Sequence, residues 1–124
     1  MRILVIDDDS DIRDILGVAL EAEGHVVATA GDGVAGLHQL RAGARPSLVI
    51  LDMMMPLLDG EGFLKGMRSD PNTADVPFII LSGHPAARRK AAEPGAADCL
   101  VKPVELINLL RAIDRVDGDP SRRT

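Results

Sequence analysis

The chain is poor in aromatic residues and cysteine, and it has no long apolar run. Two of its 124 residues are phenylalanine, one is cysteine, and tryptophan and tyrosine are absent. Direct nucleic-acid binding usually relies on a basic surface and stacking aromatics, so scarce aromatics and a net charge of −5 argue against it. The lone cysteine excludes an internal disulfide, and no apolar run approaches the ~20 residues of a membrane-spanning helix. The sequence begins with an apolar strand pattern rather than a signal peptide, so we expect a cytoplasmic protein.

Short aliphatic runs alternate with helical patterns along the whole chain. Apolar runs predict strands at residues 2–6, 25–29, 48–51, 76–81 and 98–101. Helices are predicted from an N-cap at Ser10 to a stop at Gly24, over 32–41, after Asp59, over 85–93, and from Pro103 onward. This alternation predicts one α/β domain built on a parallel sheet. We assign residues 1–116 to the domain and 117–124 to a polar tail or the start of a linker.

Apolar residues at helical spacing are expected to face the core. They are Ile12, Ile15, Leu16, Ala19 and Leu20 in the first helix, Val34, Leu37 and Leu40 in the second, Phe63, Leu64 and Met67 in the third, and Leu106, Ile107, Leu109, Leu110 and Ile113 in the last.

Polar residues stand where four of the predicted strands end. Asp7 and Asp8 follow the first strand, Asp52 the third, Ser82 the fourth and Lys102 the fifth. Ligands of open α/β sheets bind outside the carboxyl ends of the strands, so we expect these side chains to meet at one edge. Three carboxylates, a hydroxyl and an ammonium suit a divalent cation together with a transferable phosphoryl group.

Four segments place these residues in a recognisable context: VIDDDSDIR (5–13), LVILDMMMPLLDGEGFL (48–64), FIILSGH (78–84) and GAADCLVKP (95–103). Together and in this order, they resemble the receiver domain of bacterial two-component response regulators. The resemblance implies a flavodoxin-like (βα)5 fold with a five-stranded parallel sheet in the order 2-1-3-4-5. It also implies that the domain accepts a phosphoryl group from a histidine kinase or phosphotransfer protein and then changes conformation.

The resemblance assigns a role to each residue of the acidic set. Asp52 would be the phosphoryl acceptor, since a carboxylate is already a nucleophile at neutral pH. Mg²⁺ would be the cofactor, with Asp8, Asp52 and the backbone carbonyl of Met54 as direct ligands and Asp7 acting mainly through water. Asp9, in contrast, is expected to complement the helix macrodipole and not to bind metal.

The remaining roles fall on two residues of the later strands. Lys102 would neutralise the incoming phosphoryl oxygens, and its peptide bond to Pro103 is expected to be cis, as is usual in this family. Ser82 would donate its hydroxyl to the transferred group. The family usually has an aromatic residue three positions before the lysine, whereas this chain has Cys99, which we interpret as a small buried packing residue.

These assignments describe a signalling domain that acts on itself and is not an enzyme with separate substrate turnover. The expected partners are a histidine kinase or phosphotransfer protein and a downstream protein or an output domain outside this sequence. Direct nucleic-acid and membrane contacts are not expected, and the oligomeric state is expected to be a monomer or a weak homodimer.

Two other functions remain open on the sequence. A small phosphatase of the haloacid dehalogenase type would use Asp7 as nucleophile with Asp9 as the second aspartate. A degenerate receiver would serve only as a binding module, and Cys99 is the feature that favours it.

Overall fold

The computed structural model describes residues 1–43, 45–53, 58–83 and 95–118. Five strands and four helices lie in these ranges. In chain order they are β1 (Arg2–Ile6), α1 (Ser10–Ala22), β2 (Val26–Ala30), α2 (Gly33–Ala42), β3 (Leu48–Asp52), α3 (Gly60–Arg68), β4 (Phe78–Ser82), β5 (Ala96–Val101) and α4 (Leu106–Asp117).

The strands form one parallel sheet in the order β2-β1-β3-β4-β5, which confirms the predicted topology. The register aligns the strand ends: Asp52 pairs with Leu81, and Ser82 pairs with Val101. Because all strands run in the same direction, the residues that follow them emerge at a single edge.

The core has two layers, one on each face of the sheet. Alternate β1 residues point to opposite faces, so that Ile3 packs in the layer covered by α1 and α4 and Leu4 in the layer covered by α2 and α3. β3 and β4 are buried at every position. β2 is an edge strand whose only buried residue is Ala30, in agreement with its less apolar sequence.

Two helix starts differ from the prediction. The N-cap of α1 is Asp9, not Ser10, and its carboxylate accepts hydrogen bonds from the backbone N–H groups of the first turn. The last helix begins at Leu106 and not at Pro103, and its N-cap is Glu105. The Lys102–Pro103 peptide bond is cis. That cis bond was expected.

Several apolar residues predicted to face the core are exposed instead. Ile15 is 62% exposed, Val34 56%, Ile107 51% and Leu106 41%. Ile15 and Val34 each lie about 100° around the helix from a buried neighbour, outside the stripe that faces the sheet. Leu16 and Leu20 occupy that stripe in α1. Leu106 and Ile107 lie in the first turn of α4, before the buried positions of that helix begin.

Some predictions lie outside the described residues: the helix at 85–93, the Met54 carbonyl and most of the polar tail. Within the described ranges, no helix is both long and apolar enough to cross a membrane.

Candidate functional site

Three aspartates converge at the carboxyl edge of the two central strands. Asp7 and Asp8 directly follow β1, and Asp52 is the last residue of β3. One carboxylate oxygen from each lies within 4.8 Å of the others. Asp7 and Asp52 are buried, whereas Asp8 is exposed to solvent. Hard oxygen donors of this kind are the preferred ligands of Mg²⁺ and Ca²⁺, so the acidic cluster is suited to hold a metal ion.

Lys102 follows β5, the edge strand opposite β2, and its side chain extends to this cluster. Its Nζ lies 3.1 Å from Oδ2 of Asp7 and 3.3 Å from Oδ2 of Asp52. Its backbone N–H donates to the carbonyl of Ser82 at 2.7 Å, which anchors the residue beside the end of β4. The ion pair with Asp7 was not foreseen, because the sequence indicated only that the lysine would meet the phosphoryl group.

The environment of Lys102 favours its charged form. Burial by itself lowers the pKa of Lys102, but the hydrogen bond that its ammonium donates to Asp7 and the negative charges of Asp52 and Asp7 outweigh burial. The net effect raises the pKa of Lys102 above its ordinary value. The side chain is therefore an ammonium at neutral pH.

Ser82 lies at the same edge. It is the buried last residue of β4, one position beyond the Leu81 that pairs with Asp52. Gly83 follows it, and among the described residues an added Cβ at Gly83 would meet no atom within 4 Å.

Asp9, in the turn after β1, is the N-cap of α1. Its Oδ1 accepts hydrogen bonds from the backbone N–H of Asp11 at 2.9 Å and of Ile12 at 3.3 Å. Its own N–H donates to Oδ1 of Asp7 at 3.0 Å. A carboxylate engaged in capping is poorly placed to bind metal, which speaks against a phosphatase that relies on Asp7 and Asp9.

Sequence reasoning missed Arg13. Its Nη1 donates a hydrogen bond to the backbone carbonyl of Asp7 at 2.7 Å. The signal that could have revealed it is its place one helical turn after the cap at Asp9, from which a long side chain extends back toward the strand end.

Met53, the residue after Asp52, is held close to the start of α3. The N–H of Gly60 donates to the carbonyl of Met53 at 3.2 Å. A Cβ at Gly60 would lie 2.8 Å from the Cα of Met53, so only glycine permits this approach without a backbone shift.

Cys99 is buried in the core layer under α2 and α3 and pairs with Ile80 in the sheet. This placement agrees with its interpretation as a small packing residue.

The family model for the response regulator receiver domain matches residues 3–114. The chain belongs to this family. Among curated relatives, it is 36% identical over 114 residues to the DNA-binding dual master transcriptional regulator RpaA of Synechocystis sp., covering 90% of this chain and 47% of that protein. The chain thus spans about half the length of the curated relatives it matches.

Solved receiver structures share the fold. The chemotaxis protein CheY4 of Vibrio cholerae superposes with a TM-score of 0.83 at 31% identity, covering 93% of this chain and 97% of that one. The receiver domain of the sensor histidine kinase PA1611 from Pseudomonas aeruginosa has a TM-score of 0.83 at 25% identity, covering 95% and 98%. The PA1611 structure holds a magnesium ion coordinated in its active site cleft.

Proposed function

We propose that this receiver domain accepts a phosphoryl group on Asp52 from a histidine kinase or phosphotransfer protein, in a reaction that requires Mg²⁺. The observation that carries the proposal is the meeting of three carboxylates and one ammonium at a single strand edge. Phosphoryl transfer needs mainly positioning and charge neutralisation, and this edge offers groups for both.

The donor set fits a magnesium ion. Asp8 and Asp52 would bind it directly with the backbone carbonyl of Met54, and Asp7 would act mainly through water. The magnesium in the cleft of the PA1611 receiver supports this choice of metal. When bound, Mg²⁺ neutralises negative charge on the phosphoryl oxygens.

Asp52 acts as the nucleophile. One of its carboxylate oxygens forms a bond to phosphorus while the P–N bond of the donor phosphohistidine breaks, and the bonding electron pair leaves with the imidazole. No general base is needed, because a carboxylate attacks without giving up a proton. Asp52 is buried at the end of β3 and its Oδ2 lies 3.3 Å from Nζ of Lys102, so its carboxylate is restrained before the attack.

Lys102 neutralises charge that develops during transfer. In the resting protein, its ammonium bridges Asp7 and Asp52. Phosphorylation adds roughly −1.5 to −2 charges beside this ammonium. The lysine therefore interacts more strongly with the phosphorylated state, which is the condition for stabilising it.

The hydroxyl of Ser82 donates a hydrogen bond to an oxygen of the new phosphoryl group. This bond exists only after transfer, so it biases the chain toward a second conformation that a downstream protein or output domain recognises. With the thiol of Cys99 in the core, the second conformation does not use an aromatic side chain at that position.

The deciding experiment is incubation with acetyl phosphate and Mg²⁺, followed by intact-mass analysis. The wild-type protein is expected to gain one phosphoryl group in the presence of Mg²⁺ and none in the presence of EDTA. Asp52→Asn should abolish it, whereas Asp75→Asn, which changes an exposed aspartate outside the cluster, should not. A phosphorylated Asp52→Asn variant would contradict the assignment. If Asp7→Asn abolished the modification while Asp52→Asn kept it, the phosphatase alternative would be favoured.

A further inference from the structure

Arg13 lies between the ends of β1 and β2, next to the acidic cluster. It lies on α1, and its half-buried guanidinium donates to the carbonyl of Asp7 at 2.7 Å. The same group lies against Gly31, just after β2, where an added Cβ would stand 3.1 Å from Nη1. The side chain thus spans the ends of β1 and β2.

The carbonyl it binds belongs to the peptide that joins two cluster residues. The N–H of Asp7 still pairs in the sheet, donating to the carbonyl of Ala30 at 3.1 Å, but the Asp7–Asp8 peptide lies beyond the strand. The orientation of this peptide sets where the Asp7 and Asp8 carboxylates stand relative to each other. A charge-assisted hydrogen bond is stronger than a neutral one, so Arg13 restrains that orientation.

We infer that Arg13 is a positioning residue for the metal site, which holds the Asp7–Asp8 peptide so that both carboxylates can serve one cation. The inference rests on the proposed function, because it needs the cluster to bind a divalent ion. It assigns no contact between Arg13 and the metal or the phosphoryl group.

Charge repulsion alone predicts the opposite change in metal affinity when Arg13 is replaced. A guanidinium near the cluster repels a dication, so removing its charge should tighten metal binding. If Arg13 positions the peptide, removing it should instead weaken metal binding, because the two carboxylates lose their fixed relation. The direction of the change therefore separates positioning from simple charge repulsion.

The test measures Mn²⁺ binding to the full chain by electron paramagnetic resonance, with Mn²⁺ as the probe for the Mg²⁺ site. Arg13→Met is expected to bind Mn²⁺ about tenfold more weakly than wild type. Arg111→Met is the matched control, since it removes an exposed arginine from α4, and its affinity should stay within twofold of wild type. Equal or tighter binding by Arg13→Met would overturn the inference.

Arg13→Lys keeps the positive charge and the ability to donate a hydrogen bond, but on a shorter side chain without the planar guanidinium. It is expected to recover part of the lost affinity, and it stands in for Arg13→Met if that variant does not fold. An Arg13→Lys protein that binds Mn²⁺ at least as tightly as wild type, while Arg13→Met does not fold, would also overturn the inference.

Phosphorylation by acetyl phosphate gives a second readout. The Mg²⁺ concentration for half-maximal rate should rise in Arg13→Met, while the rate at saturating Mg²⁺ should change less. A loss confined to the saturated rate would refute a positioning role. If wild-type protein bound no Mn²⁺, the proposed function itself would fail. If wild type bound Mn²⁺ and the variants matched it, only the role of Arg13 would fail.

Discussion

The ammonium of Lys102 contacts two carboxylates of the cluster that would hold a dication, so Lys102→Met should change both stability and its dependence on Mg²⁺. At an effective dielectric constant of roughly 20, each contact of the ammonium with Asp7 or Asp52 has a Coulomb energy of about 5 kcal/mol before desolvation. Desolvation cancels most of this energy, and removing one partner of a fully buried pair costs roughly 3–5 kcal/mol. The Lys102 side chain is 25% exposed, which lets water replace part of the interaction.

We therefore expect Lys102→Met to lower the free energy of unfolding by about 2 kcal/mol in EDTA. Mg²⁺ should then stabilise the variant more than the wild type, because the ion no longer competes with the ammonium for the carboxylates. Stabilisation by a ligand follows RT ln(1 + [L]/Kd), so tighter binding appears directly as a larger rise in stability at fixed Mg²⁺.

Urea unfolding followed by far-UV circular dichroism, with and without Mg²⁺, measures both effects. The chain has no tryptophan or tyrosine, so intrinsic fluorescence is a poor probe. Lys65→Met, on the exposed surface of α3, is the matched control and should change stability by less than about 0.5 kcal/mol. The reasoning is refuted if Lys102→Met is as stable as wild type in EDTA, or if Mg²⁺ stabilises it less than wild type.

Three further outcomes follow from the described contacts. The stability gap between wild type and Lys102→Met should be full at neutral pH and shrink as pH rises through the raised pKa of the folded lysine; urea titrations in alkaline buffers that show a constant gap would contradict this. Asp9→Ala should cost about 1 kcal/mol through loss of the α1 cap yet keep phosphorylation by acetyl phosphate, and loss of phosphorylation in a folded variant would show that Asp9 does more than cap. Phe63→Ala, at a fully buried core position, should cost roughly 3–5 kcal/mol in chemical denaturation, and a cost under about 1 kcal/mol would mean that the core is packed differently.

Local patterns in the sequence were enough to place the strands and the site residues along the chain. The run of aliphatic residues before Asp52 predicted a doubly covered strand, and β3 is buried at all of its positions. The same patterns predicted more buried helix residues than the structure shows. Ile15 is apolar at helical spacing but lies beside the stripe of α1 that faces the sheet, and Leu106 is on the apolar face of α4 but at its exposed first turn.

The pairings at the site were beyond sequence reasoning. The ammonium of Lys102 donates a hydrogen bond to Asp7, a residue 95 positions away, and the predicted strand order did not say which carboxylates it would contact. Arg13 is closer in sequence to Asp7, yet its bond to a backbone carbonyl depends on the angle at which α1 leaves β1.

Residue types and their spacing by themselves determined that this protein is an α/β domain with acidic, hydroxyl and basic groups at its strand ends, because alternation of apolar residues and caps is a local property. Only the tertiary structure decided which of those groups touch. Lys102 lies between Asp7 and Asp52, and Asp9 turns to the helix, because side-chain contacts depend on packing between distant segments.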